Sequence, residues 1–202
     1  MQSLTKATLT LDEFLSSPLA NENYEFFDGE LTQKMSPKRY HSRVTVKLSR
    51  LLDDWSENKG EVGIEWAVRL KRGGKDWCPL PDLLYVSFEK LGNIILEDDA
   101  CPIPPDLVIE VISPGQSFSD ISEKAEAYLK AGVDRVWLID TQVKKITVFY
   151  PDSPPETKQG NDSLGDDLLP DLSLTPQYIF EKADLIDASW IRINPFLRFH
   201  LI

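Results

Sequence analysis

Two stretches that otherwise read as buried strands each carry a carboxylate where another aliphatic is expected: Pro81-Asp82-Leu83-Leu84-Tyr85-Val86 and Asp106-Leu107-Val108-Ile109-Glu110-Val111-Ile112. An ionised carboxylate in a hydrophobic sheet is costly unless a cation, a hydrogen-bond donor or a metal compensates it. If the two strands pair, Asp82 sits beside Glu110, and two carboxylates with a backbone carbonyl and waters suit octahedral Mg²⁺. The plainer alternative is a strand-end carboxylate, or one salt-bridged to a nearby base. Asp106 and Glu110 share a strand face but lie about 13 Å apart, too far to hold one ion. Asp106, next to Pro105, therefore reads as a strand-start residue making a local hydrogen bond. Lys124 completes the set. It lies four residues after Asp120 and four before Tyr128, on the border of the apolar stripe Ile121, Ala125 and Leu129. From there an ammonium either reaches back to a water or phosphoryl oxygen at the site or pairs with Asp120 one turn away. Because the three apolar residues carry the stripe, loss of Lys124 is expected to spare folding.

The elements that must position these groups follow an α/β (α+β) order. Thr10-Leu11-Asp12-Glu13 fits a capping box opening a short helix to about Ser17. Tyr24 to Phe27, Asp28-Gly29, then Leu31 to Met35 reads as a β-hairpin, since Asp-Gly tolerates the positive φ of a tight turn. From Arg39 to Asn58, Val44, Leu48, Leu51, Leu52 and Trp55 recur at helical spacing, with Arg43, Lys47 and Arg50 as an adjacent basic stripe. Val62, Ile64, Trp66, Val68 and Leu70 alternate strictly, which predicts one strand with Glu65 on its other face. The two carboxylate-bearing strands come next, joined by a polar loop. The spacing then predicts a helix over Phe118 to Lys130, capped at Ala131-Gly132, and strands at Asp134 to Asp140 and Lys145 to Tyr150. Residues 151 to 175, rich in proline and acid, read as a long surface loop, with a short helix after Pro176.

Composition bounds the class. With 202 residues, 42% hydrophobic and 27% charged, the chain can bury one good core, which predicts a single domain. It has no apolar run of about 18 residues and no charged-then-apolar leader, so cytoplasmic residence is the default. Cys78 and Cys101 lie 23 apart with no CxxC and no paired histidines, which predicts two reduced structural thiols. The net charge of −11 argues at first sight against a nucleic-acid partner. Its distribution matters more: Lys34 to Arg50 holds six basic residues, His41 and no acid, and Arg69, Lys71, Arg72 and Lys75 follow closely. Residues 151 to 172 hold six acids against Lys158 and so supply −5 of the −11. The basic stretches are either solvated faces or a surface for a polyanion.

Taken in order, several of these pieces resemble one family. They are Tyr24-Glu25-Phe26-Phe27-Asp28-Gly29-Glu30-Leu31, Met35-Ser36-Pro37, His41, Pro81-Asp82-Leu83, and Pro105 through Pro114. Asp120 with Lys124, Tyr128 with Ala131-Gly132-Val133, and Val136-Trp137-Leu138-Ile139-Asp140 extend the set. Together, from about Leu9 to Phe180, the chain resembles the Uma-type putative restriction endonucleases, a family assigned to the PD-(D/E)XK nuclease superfamily. The resemblance implies a restriction-endonuclease-like mixed sheet flanked by helices and a Mg²⁺- or Mn²⁺-dependent site hydrolysing phosphodiesters. It puts the metal-binding, catalytic acids on Asp82 and Glu110. The motif lysine would fall two residues after Glu110, where Ile112 stands, so the resemblance implies a migrated catalytic lysine, with Lys124 as the substitute.

Three accessory positions stay open. Glu25 adds a metal contact or faces solvent, His41 binds a phosphate or caps the basic helix, and Glu65 faces the site or solvent. The resulting expectation is a Mg²⁺-dependent DNA endonuclease, with Arg43, Lys47 and Arg50 following the phosphate backbone. A homodimer is implied by analogy, since cutting two strands needs two sites. The alternative is a catalytically inactive module that binds nucleic acid or protein on the same fold. In the tail beyond Ala188, Trp190, Ile191, Phe196, Leu197 and Phe199 are candidates to pack on the domain or meet another subunit.

Overall fold

Local signals in the N-terminal part translate directly into structure. The computed structural model describes residues 9–113 and 115–185; the tail aromatics lie outside them. Thr10 and Glu13 form the capping box that opens α1 (Leu11–Leu15), and a 3-10 turn at Pro18–Asn21 follows. Asp28 (φ 49°) and Gly29 (φ 87°) then make the tight turn between β1 (Tyr24–Phe27) and β2 (Glu30–Gln33). The apolar stripe of α2 (Arg39–Ser56) buries Val44, Leu48 and Leu52. β3 (Gly60–Ile64), β4 (Leu70–Arg72), β5 (Lys75–Cys78), β6 (Leu83–Ser87), α3 (Phe88–Leu91) and β7 (Leu107–Val111) come next. α4 (Phe118–Lys130) matches its predicted span and ends at Ala131, where Gly132 takes φ 98°. β8 (Arg135–Asp140), β9 (Lys145–Phe149), β10 (Glu156–Gln159) and α5 (Pro176–Lys182) complete the order.

Every residue of β7 is buried, which requires a central strand covered on both faces. It lies antiparallel to β6 and parallel to β8 in a mixed six-stranded sheet of order β10-β9-β8-β7-β6-β3. The β7-α4-β8 segment supplies the parallel crossover. One face packs Leu83, Leu107, Ile109, Trp137 and Ile139 against α2, α5 and the leucines of residues 164–174. The other packs Leu84, Val86, Val108, Val136 and Leu138 against α4 and part of a second sheet, of order β2-β1-β5-β4. Cys78 and Cys101 are free and buried, and burial pushes the Cys78 thiol up to about 12. Among the described residues no helix is long and apolar enough to cross a membrane.

Two expectations need correction. The alternating run from Val62 to Leu70 is not one strand. Glu65 takes φ 47° and turns the chain out of the large sheet, leaving Ile64 53% exposed. Val68 then bridges to Cys101, and Leu70 begins β4 in the second sheet. Alternation persists because each half meets its own core, so period alone does not reveal the break. Residues 151–175 are not a surface loop throughout either. They contain β10, paired with β9, and they bury Leu164, Leu169, Leu172 and Leu174. Their spacing follows neither the strand nor the helix period, which is why they read as loop. Leu169→Ala is therefore expected to lower the unfolding free energy by about 2–5 kcal/mol. Urea denaturation distinguishes this from the change of within about 0.5 kcal/mol that a solvated loop position would give.

Candidate active site

Pairing of β6 with β7 brings the two acids together. Leu83 faces Ile109 and Leu84 faces Val108, so Asp82, immediately before β6, falls one step on, beside Glu110. Both share side-chain parity with Leu84 and Val108 and project to the α4 side of the sheet. Asp82 is 2% exposed and Glu110 5%. The Val111 amide donates to Asp82 Oδ2 at 2.7 Å, His41 Nε2 lies 3.0 Å from the same oxygen, and Lys34 Nζ donates to Oδ1 at 2.7 Å. Burial opposes the charge, yet the His41 hydrogen bond and the Lys34 ammonium outweigh it and hold the Asp82 carboxyl at about 2. The Lys34 pKa is itself raised: burial works against its charge, and Asp82 and Glu110 more than offset that.

Lys124 does not pair with Asp120. It turns inward from α4, donates to Glu25 Oε1 at 2.6 Å and lies 2.8 Å from Glu110 Oε1. Tyr128, one turn further along, donates its hydroxyl to Glu110 Oε1 at 2.8 Å. Glu25 also accepts from the Leu80 amide at 3.1 Å, which ties the hairpin to the approach to β6. Burial raises the Glu110 pKa, with Lys124 opposing and Asp82 adding to the rise. The Lys124 pKa rises because its two carboxylate partners outweigh the cost of burying it, and the Tyr128 hydroxyl is pushed far up by burial beside Glu110. Tyr128 is thus a fixed donor to Glu110.

Glu25, Lys34, His41, Asp82, Glu110 and Lys124 line a cleft of about 260 Å³ that also includes Met35, Glu65 and Gln116, and Tyr128 meets Glu110 from outside this lining. Glu65 faces this cleft, 3.8 Å from Lys34. His41 is not a helix cap: it is the third residue of α2, buried, and it meets Asp82, while Thr45 lies 3.5 Å from its Nδ1. Asp106 lies apart and accepts from the Ser87 amide and hydroxyl at 2.6 and 3.1 Å, a partner on the neighbouring strand. Arg43 is tied to the Ala183 carbonyl and the Asp184 carboxylate. Lys47 is half-buried and Arg50 exposed. Most of the second basic cluster is neutralised: Arg69 pairs with Asp12 and Asp99, Lys71 with Asp76 and Lys75 with Asp28. Sequence reasoning missed the roles of Lys34 and Tyr128. Lys34 is hidden in a basic run, and nothing local marks it. Tyr128 sits one helical turn from Lys124 on the buried face, a signal that was available.

As a metal site, the residues present fit by donor type. Asp82, Glu110 and Glu25 offer hard carboxylate oxygens, the ligands of Mg²⁺ and Mn²⁺, and a cation, the Lys124 ammonium, already joins Glu25 to Glu110. Among the described residues no three histidine, cysteine or acidic side chains form a ready-made metal cluster.

A mixed sheet whose central strands deliver paired acids into a cleft faced by a helix lysine defines a restriction-endonuclease-like protein. Residues 11–177 match the Uma2 family, described as putative restriction endonuclease, and the chain belongs to that family. The fold is similar to a crystal structure of a putative nuclease belonging to DUF820 from Anabaena variabilis ATCC 29413. The TM-score is 0.73 at 24% identity over 86% of this chain and 98% of that one. Among curated proteins the chain has no significant match.

The pairing of Lys124 reverses the expectation that its loss spares folding. With its side chain only 18% exposed, Lys124→Met leaves Glu25 and Glu110 without their shared cation, held by the Leu80 amide and the Tyr128 hydroxyl. In chelator, the variant should lose about 3–5 kcal/mol, as for other broken buried pairs. Adding Glu110→Gln should recover much of that loss. An unchanged urea midpoint in the single variant would show that the pairing contributes nothing.

Proposed function

We propose that this chain is a divalent-metal-dependent endonuclease that hydrolyses phosphodiester bonds of DNA, in a single domain acting as a homodimer. The observation that carries the reading is the convergence of Asp82, Glu110 and Lys124, from three separate elements, in one cleft. Asp82 and Glu110 would hold Mg²⁺ or Mn²⁺, with Glu25 as a further carboxylate. A bound ion supplies Lewis-acid polarisation of the phosphate and a more acidic water. Lys124, an ammonium between two carboxylates, offers positive charge to phosphoryl oxygens as negative charge develops. His41 and Lys34 are positioning residues that fix the Asp82 carboxylate, and Tyr128 does the same for Glu110.

One observation favours the second reading, a non-cleaving binding module. Both oxygens of Asp82 are engaged, and Lys124 fills the space between Glu25 and Glu110. Metal and cleavage measurements separate the two. Mg²⁺ or Mn²⁺ should raise the melting temperature of the parent protein, and the increment should vanish in Glu110→Gln. Cleavage of single- and double-stranded DNA should fall by roughly 10² or more in Lys124→Met, as for loss of a positioned charge. Metal-induced stabilisation that survives Glu110→Gln would move the ion elsewhere, and no cleavage of DNA or RNA with either ion would leave the binding module.

The basic stripe gives a second test. With Arg43 held by Asp184, replacing Lys47 and Arg50 by glutamine should flatten the salt dependence of DNA binding by up to about 1.8 in log–log slope, at roughly 0.9 per phosphate contact. Arg43→Gln should instead act mainly on stability. An unchanged slope in the double variant would leave those two residues as a solvated face.

A further inference from the structure

A second cleft adjoins the first. It has a volume of about 360 Å³, at the low end of small-ligand sites of ~300–1,000 Å³, and is lined by Lys38, Arg39, Tyr40, His41, Ile112 and Gln142, among others. His41 borders both clefts, so the side chain that holds Asp82 also forms part of the second cleft's wall. Tyr40 is 48% exposed, a large ring left accessible in a mainly apolar cleft that Lys38 and Arg39 also line. Ile112 stands at the position two after Glu110, so an apolar side chain borders this cleft where the superfamily motif would put a lysine.

The rim is cationic and uncommitted. Among the described residues neither Lys38 nor Arg39 forms an ion pair, in contrast to Arg43, Arg69, Lys71 and Lys75. The Arg39 guanidinium lies 5.5 Å from the centre of the Tyr40 ring, an aromatic–arginine platform of the kind on which bases stack. α2 begins at this rim with no side-chain cap, so its first-turn amides add to the attraction for phosphate. Aromatic ring, apolar wall, amide side chain and unpaired cations together match a nucleotide: a flat base inside and its phosphate at the rim.

We infer that this cleft binds one unpaired nucleobase of the substrate strand, stacked on Tyr40, with the adjoining phosphate on Lys38 and Arg39. The inference rests on the nuclease reading of the neighbouring site and adds a substrate class to it: single-stranded or locally unpaired nucleic acid. Stacking on Tyr40 would hold a base in the cleft that shares His41 with the acidic site, and a base kept in a duplex would not enter.

The test uses a single-stranded deoxyoligonucleotide of about 12 nucleotides, within the span of known single-strand sites, carrying one 2-aminopurine, and the full chain. Fluorescence and anisotropy are read in chelator and again with Ca²⁺, so neither depends on cleavage. The parent protein should quench the 2-aminopurine. Tyr40→Ala should abolish the quenching and weaken binding about tenfold, equivalent to roughly 1.4 kcal/mol. Tyr40→Phe should retain both, and all three proteins should melt alike. The same oligonucleotide annealed to its complement should show no Tyr40-dependent quenching. Quenching unchanged in Tyr40→Ala, quenching by the duplex alone, or no binding of the strand would each overturn the proposal. Cleavage is scored separately with Mg²⁺ and Mn²⁺. Tyr40-dependent quenching without cleavage would remove the nuclease reading and leave the base pocket, whereas cleavage without such quenching would remove the pocket alone.

Discussion

Keeping two carboxylates charged inside a hydrophobic sheet is the constraint on which the rest of this structure depends. Asp82 and Glu110 sit almost wholly out of water, and an isolated buried carboxylate would cost several kcal/mol or take up a proton. The chain meets this cost from four directions. Lys34 comes from just after the hairpin, His41 from the start of α2, Lys124 and Tyr128 from α4, and the Val111 amide from β7 itself. The partners arrive from four separate parts of the chain, so the second sheet, both long helices and the central strands are tied to one another by the same few groups. The apolar clusters on the two faces of the sheet supply bulk stability, and burial of Phe26, packing of Phe27 and the pairing of β1 with β5 seat the hairpin. The ion pairs sharpen that seating, since a small displacement of the hairpin would leave Asp82 without its lysine and Lys124 without Glu25.

The balance within this network is uneven. Glu25, Glu65, Asp82 and Glu110 are matched by Lys34 and Lys124, so four carboxylates meet two ammoniums. Environment also separates the acids: donors hold the Asp82 pKa down, while burial lifts that of Glu110. Two neighbouring groups pushed in opposite directions are a common mark of a chemical site, although structural ion pairs produce it as well. The placement of Lys124 on α4 rather than on the strand also separates two surfaces. Where a strand lysine would project, Ile112 leaves an apolar boundary, and the charge enters from above the sheet instead.

Much of this was legible because the relevant residues break a pattern. Asp82 and Glu110 interrupt apolar strands, and Lys124 interrupts the edge of an apolar stripe. Capping at Thr10, the Asp28-Gly29 turn and the Gly132 cap are local chemistry and appear where the sequence predicts them. What escaped is non-local. Lys34 is one lysine in a basic run and acquires its role only when the hairpin folds over the strand ends. His41 looks like a helix-start residue until α2 places it against Asp82. The leucines of residues 164–174 follow no period, since an irregular segment can fill a core as long as its backbone finds partners, as Leu164 and Leu174 do with each other. The break at Glu65 is invisible to alternation because the segments on either side obey the same period in different sheets.

The same distinction between paired and unpaired charge bears on how an acidic chain could meet a polyanion. Net charge sets the long-range field, but contact at a surface depends on which cations remain free. Here the cations of the β4-β5 hairpin and its flanks are largely committed to Asp12, Asp28, Asp76 and Asp99, and Arg135 is committed to Asp166. Among the described residues, Lys38, Arg39, Lys47 and Arg50 form no such pairs, and all four belong to α2 or its cap. Of the acids of residues 151–172, Asp152 and Glu156 lie at the β10 edge of the six-stranded sheet, whereas the segment carrying Asp166, Asp167 and Asp171 packs beside α2, where Trp55 donates to the Pro170 carbonyl at 3.0 Å. A polyanion would therefore be drawn to the N-terminal end of α2, at Lys38 and Arg39, and repelled from its C-terminal end, where Asp53 and Asp54 lie beside that acidic segment. At physiological salt, where screening acts over about 8 Å, that local contrast outweighs the sign of the total, so an overall charge of −11 and an attractive nucleic-acid face are physically compatible.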